Sequence, residues 1–120
     1  MPNERIFNMP LASFYPHYIT KLERKGKTVA DAETVICWLT GYDNEGLKTQ
    51  IKNQTTTREF FDKAPQINPA AANIRGVICG VRVEEITDPL MQKIRCMDIL
   101  IDKAAKVKTP VEAMLAKYDN

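Results

Sequence analysis

Behind Thr87-Asp88-Pro89, the apolar residues Leu90, Ile94, Met97, Ile101 and Ala104 return at alternating spacings of four and three. That alternation draws one stripe along a long α-helix. Asp88 is a cap of the preferred type, and Pro89 suits the first helical position, where its missing N–H costs no intrahelical bond. The spacing predicts a helix from residue 89 to about Val107. So long a stripe has to be covered, and a chain built around it is predicted to be a helical bundle.

The same punctuation recurs along the chain. Ser13 is predicted to cap a helix with Pro16 in its first turn, and Tyr15, Tyr18, Ile19 and Leu22 fall on one face before Gly26 stops it near Lys25. Thr28 and Asp31 open a second helix with Ala32, Val35, Ile36 and Leu39 on its inner face, ended by Gly41. Asp43 caps a short third helix carrying Leu47 and Ile51. Thr56 and Glu59 form a capping box, and Asn68-Pro69 and Thr109-Pro110 open further helices. The last presents Val111, Met114, Leu115 and Tyr118. Residues 1–10 read as an irregular lead-in. The fold class is therefore all-α: one domain over 1–120, a small orthogonal bundle of six or seven short helices with a long penultimate one.

One stretch resists this reading. In GVICGVRVEEITDP (76–89), Val77, Cys79, Val81 and Val83 alternate as a strand would, whereas Ile74, Val77, Ile78 and Val81 fit a helix. A lone strand finds no partner elsewhere in the sequence, and unpaired buried backbone is costly. The segment is expected to be helix or tight turns, with a short extended segment near 76–83, pairing with its copy in a dimer, as the alternative.

Bulk properties exclude several classes. A net charge of +2 does not by itself imply nucleic acid or an anionic membrane. No apolar run reaches the length of a membrane span, and MPNERIFNMP has no signal-peptide core. The three cysteines, Cys37, Cys79 and Cys96, are odd in number and sit in apolar contexts, which suits buried thiols in a reducing cytoplasm. With no CxxC and a single histidine, no closed metal site is expected; no cofactor string is present either.

Chemistry-bearing residues are few. Arg82 follows Cys79 by three positions and precedes Glu84 and Glu85, a pattern able to lower a thiol pKa or bind an anion. The plainer account is a space-filling thiol beside glycines and two glutamates suited to a helix start. Trp38 and Tyr42 are amphipathic aromatics of the kind that line pockets, and equally of the kind that fill cores. His17 lies off the apolar stripe of its helix. The cluster LERKGK, with Lys21, Arg24, Lys25 and Lys27, resembles a phosphate-contacting patch but also an ordinary solvated helix end.

The strings ASFYPHYITKLERKGKT (12–28), VICWLTGYD (35–43), EFFDKAPQINP (59–69) and GVICGVRVEEITDPLMQKIR (76–95) together resemble a bacterial family, domain of unknown function 2200. The resemblance covers nearly the whole chain. It implies a small, single-domain, mainly helical protein with no established activity, so no catalytic residue carries over. The chain departs from the family pattern at RCMDIL (95–100), where RYLDKL is expected, so Cys96 is not implied as a shared reactive thiol.

Two functional classes follow, and whether the chain is an enzyme stays open between them. One is a cytoplasmic module acting by binding, most of all by homodimerisation through the 90–104 stripe. The other is a small enzyme or ligand binder with a pocket around Trp38, Tyr42, Cys79, Arg82 and Glu85. Nucleic-acid binding through Lys21–Lys27 ranks below both.

Overall fold

The computed structural model describes residues 2–78 and 80–119. Among them are seven α-helices: α1 (Pro2–Asn8), α2 (Leu11–Glu23), α3 (Val29–Thr40), α4 (Asn44–Lys52), α5 (Thr57–Asp62), α6 (Pro89–Lys106) and α7 (Val111–Ala116). Three 3-10 turns, Pro69–Asn73, Val83–Glu85 and Lys117–Asp119, and a hairpin of two short strands, β1 (Val77–Ile78) and β2 (Val81–Arg82), complete them. No helix among the described residues is long and apolar enough to cross a membrane.

The long helix is the axis of the fold. Asp88 accepts hydrogen bonds from the Leu90 and Met91 amides at 2.9 and 3.2 Å, as its place before Pro89 predicts. Ile94, Met97, Ile101 and Ala104 are buried, but so are Met91, Cys96, Ile99 and Leu100. The stripe is thus broader than a two-stranded seam, and α2 and α3 cover it within the chain.

The caps at Thr28, Asp43, Thr56 and Asn68 fall where the sequence places them, each side-chain oxygen accepting from a backbone amide two or three residues on. The Thr28 box is complete, with the Asp31 carboxylate accepting in return from the Thr28 amide. Asn68 opens a 3-10 turn and not an α-helix. Thr109 makes no cap, and Pro110 itself holds the extended position before α7.

Three expectations fail. Residues 1–10 are not an irregular lead-in, because Pro2–Asn8 is helical and Phe7 is buried. A seven-residue helix carries too few apolar positions to show a period. Ser13 does not cap α2, which begins at Leu11 and so contains Pro16 beyond its first turn. The start is set by tertiary pairing: Leu11 N donates to Thr55 O at 2.9 Å and Thr57 N to Met9 O at 2.8 Å, fixing Pro10 extended beside Thr56. Finally, near 76–83 the helix-or-turn expectation gives way to its extended alternative, a hairpin with Val77 opposite Arg82 and Ile78 opposite Val81. Its missing partner lay within the same segment, across a bend where Gly80 takes φ +80°. The alternation at 77–83 was the true signal, and no second copy is needed to pair it.

Candidate functional site

The end of α3 organises the region where a site can form. A helix leaves its last four carbonyls without intrahelical partners. Here each is answered. Cys37 O accepts from Gly41 N at 2.9 Å, Trp38 O from Asn68 Nδ2 at 3.2 Å, Leu39 O from Asn68 N at 2.9 Å and Thr40 O from Gln66 N at 3.2 Å. The segment 66–68 is thereby laced across the end of α3. The approach is close: a Cβ on Gly41, which sits at φ +82°, would lie 2.8 Å from Gln66 N and O.

Beyond that lacing, the chain runs over α6 as the turn Pro69–Asn73 and leaves a cavity of about 410 Å³ beneath it. Leu39, Ile67, Ile74 and Cys96 line its apolar side, and Ala71 and Ala72 form a thin wall. Arg75, Lys93, Glu84 and Gln92 make the polar rim. Gln92 Nε2 donates to Val83 O at 3.1 Å, holding the Val83–Glu85 turn onto α6. The Glu84 carboxyl is held below the ordinary glutamate value by its own backbone amide, helped by the Gly76 amide and the positive charges of Arg75 and Arg82. It is a carboxylate at neutral pH and no acid catalyst.

Neither described thiol is an activated nucleophile. Burial pushes the Cys96 thiol up to about 11, leaving a negligible thiolate fraction at neutral pH. The Cys37 thiol is also raised, by burial first and then by Glu33 and Asp43, and its Sγ lies 3.6 Å from Asn44 Oδ1. Among the described residues no three His, Cys, Asp or Glu side chains group as metal ligands.

The residues singled out from the sequence are scattered around this cavity. Cys79 lies outside the described residues. Tyr42 is buried, stacked on Phe60 with centroids 4.8 Å apart, and its hydroxyl donates to Phe60 O at 2.8 Å. Its polar end is therefore spent inside the core. Arg82 is exposed on β2 and Glu85 is exposed in the turn behind it. The Arg82 charge helps, after the Glu84 and Gly76 amides and Arg75, to lower the Glu84 carboxyl. Trp38 is half-buried, 6.0 Å from the Tyr118 ring, and lines a shallow groove of about 400 Å³ with Gly41, Pro65 and Gln66. Of the four described residues Trp38, Tyr42, Arg82 and Glu85, the groove is lined by Trp38 alone and the cavity by none. His17 is exposed, as its place off the stripe predicts, and Lys21 of the basic cluster is paired with Asp102.

Sequence reasoning missed Asn68, Arg75, Lys93 and Cys96 as cavity residues. The available signal was PAAAN at 69–73: three alanines on a short turn cannot fill the space between two helices.

No curated protein matches the chain. A solved structure does: the crystal structure of uncharacterized protein SP1917 is 40% identical, with 98% of this chain and 95% of that one covered and a TM-score of 0.90. Residues 5–115 match the bacterial family described as an uncharacterized protein conserved in bacteria, domain of unknown function 2200, and the chain belongs to that family.

Proposed function

We propose that the chain is a cytoplasmic binding module whose site is the cavity under residues 67–75, and that it holds a small molecule with an apolar body and an acidic head. The observation that carries this reading is the cavity itself. At about 410 Å³ it falls in the range of small-molecule sites, with an apolar floor and the cations Arg75 and Lys93 at its mouth. The cytoplasmic part rests on thiols: Cys37 and Cys96 are both free, and Cys96 is buried.

Octanoate serves as a probe of this chemistry, read by chemical shifts in amide NMR spectra. Saturable shifts centred on Ala71, Ala72 and Cys96 are expected. Ala72→Phe, which projects into the cavity from its thin exposed wall, should abolish them without unfolding the chain. Lys93→Glu should weaken binding about tenfold, the worth of one charged hydrogen bond. Shifts that never saturate, or that persist unchanged in Ala72→Phe, would rule the reading out.

Self-association is the second reading. With the α6 stripe covered, it rests on the hairpin, where Val77 and Val81 stand 62% and 49% exposed. Light scattering at tens of micromolar, roughly where real interfaces persist, decides it. A dimer dissolved by Val77→Ser with Val81→Ser supports the reading, and a monomer ends it.

A further inference from the structure

A second cavity, at the far end of α6, is left unused by the reading above. It measures about 540 Å³. Lys103 and Lys106 reach it from the last turn of α6, and Lys117 from the turn Lys117–Asp119. Tyr118 stands among them: its hydroxyl accepts from Lys103 Nζ at 2.9 Å, and that ammonium lies 5.4 Å from the ring centroid. Val107 and Met114 supply an apolar side. The wall is braced by Asn73, whose Nδ2 donates to Tyr118 O at 2.8 Å.

Lysines in the last turn of a helix ordinarily complement its dipole. That accounts for Lys103 and Lys106. Lys117, the C-cap of α7, complements that helix in the same way, but the dipoles do not account for two helix ends carrying all three lysines to one hollow. Nor do they account for the pairing: among the described residues no carboxylate bridges to any of the three, whereas Lys21 is paired with Asp102 and Lys63 with Glu59. Three ammonium groups around one hollow repel one another, and an anion entering it relieves that repulsion. Because the Tyr118 hydroxyl accepts from Lys103, its own hydrogen is left to donate.

We propose that this cavity binds a phosphate-bearing small molecule. Its phosphate oxygens take hydrogen bonds from Lys103, Lys106, Lys117 and the Tyr118 hydroxyl, and its apolar portion rests on Val107 and Met114. Lysine suits the phosphate as a strongly hydrated point charge. The site is independent of the cavity under residues 67–75.

Trp38 is the chain's one tryptophan and packs 6.0 Å from the Tyr118 ring, so its fluorescence reports on the site directly. Inorganic pyrophosphate and adenosine diphosphate are the probes, titrated at low salt into the intact chain. Saturable quenching or enhancement is expected with both, tighter for the diphosphate that carries a ring. Lys106→Glu with Lys117→Glu should weaken both at least about tenfold, as loss of charged hydrogen bonds predicts. The exposed positions of Lys106 and Lys117 keep that variant folded. Lys25→Glu with Lys27→Glu, on the other basic cluster, should change nothing, and Ala72→Phe should leave pyrophosphate binding intact. The proposal is overturned by an absence of saturable binding, by equal loss in the Lys25/Lys27 variant, or by a single-stranded oligonucleotide that binds more tightly than either probe with the same lysine dependence.

Discussion

Along α6 the buried positions run almost all round the helix, whereas among the described side chains between residues 66 and 88 only Ile74 and Val83 are buried. The helix satisfies its own backbone and needs its neighbours only for apolar cover. The 66–88 segment does the reverse. It hangs on other elements by hydrogen bonds, through Gln66 and Asn68 to the end of α3 and through Val83 to Gln92. A segment suspended by its backbone need not fill the space beneath it. Cavities are rare in close-packed interiors, and this one lies where suspension replaces packing.

The largest effects should come from testing that contrast in the core. Leu100→Ala removes a fully buried side chain from α6 and should cost about 3–4 kcal/mol by urea unfolding. Ile74→Ala, equally apolar but on the wall of the existing cavity, should cost roughly half, because the removed volume joins space already open. Equal losses would mean that the segment is packed as a core, and the comparison would fail.

Next come the glycines. Gly41 and Gly80 share the left-handed conformation, at φ +82° and +80°, but not their surroundings. Gly80→Ala meets nothing within 4 Å and should cost only the conformational penalty, about 1 kcal/mol. Gly41→Ala adds a clash with the Gln66 backbone and should cost about 3 kcal/mol. It should also loosen the cavity wall, seen as faster amide exchange at Gln66 and Asn68. Similar costs for the two variants would show that the lacing at the end of α3 yields freely.

Asn68→Ala takes the lacing apart from the other side. It leaves Trp38 O without its donor and Ala70 N without its cap, and should cost about 1–2 kcal/mol in the same unfolding experiment. A loss below a few tenths would mean that water replaces both bonds.

These differences also explain what could be read in advance. Five cap positions and the inner faces of α3, α6 and α7 were legible because caps and periods are local. The cavity was not, because it is made by residues that are absent as much as present: three alanines over a turn, and an asparagine whose value lies in carbonyls thirty positions earlier. The start of α2 was hidden for the same reason, since Thr55 and Thr57 set it from a distant stretch. Cys96 looked like one more apolar filler, and it is one; only its neighbours make it a cavity wall.

The smallest predicted effect tests whether the packed side of the contrast is free of cost. Between α2 and α6, Asp98 takes hydrogen bonds from the Tyr18 hydroxyl and from Arg95, both at 3.2 Å, with Lys21 and Asp102 paired one turn on. Burial still outweighs these partners and raises its carboxyl above the ordinary aspartate value of 3.8. A raised acid binds its proton more tightly folded than unfolded. Its contribution is therefore fully present below that ordinary value and is lost as pH rises through the folded one. Asp98→Asn removes the titration while keeping the shape. The stability of the natural chain minus that of Asp98→Asn, from urea unfolding at a series of pH values, should fall as pH rises from about 3.8 and then level off. A difference that rises instead would show that Arg95 and Lys21 dominate burial. It would then be the helix seam, and not only the suspended segment, that depends on polar bonds for its hold.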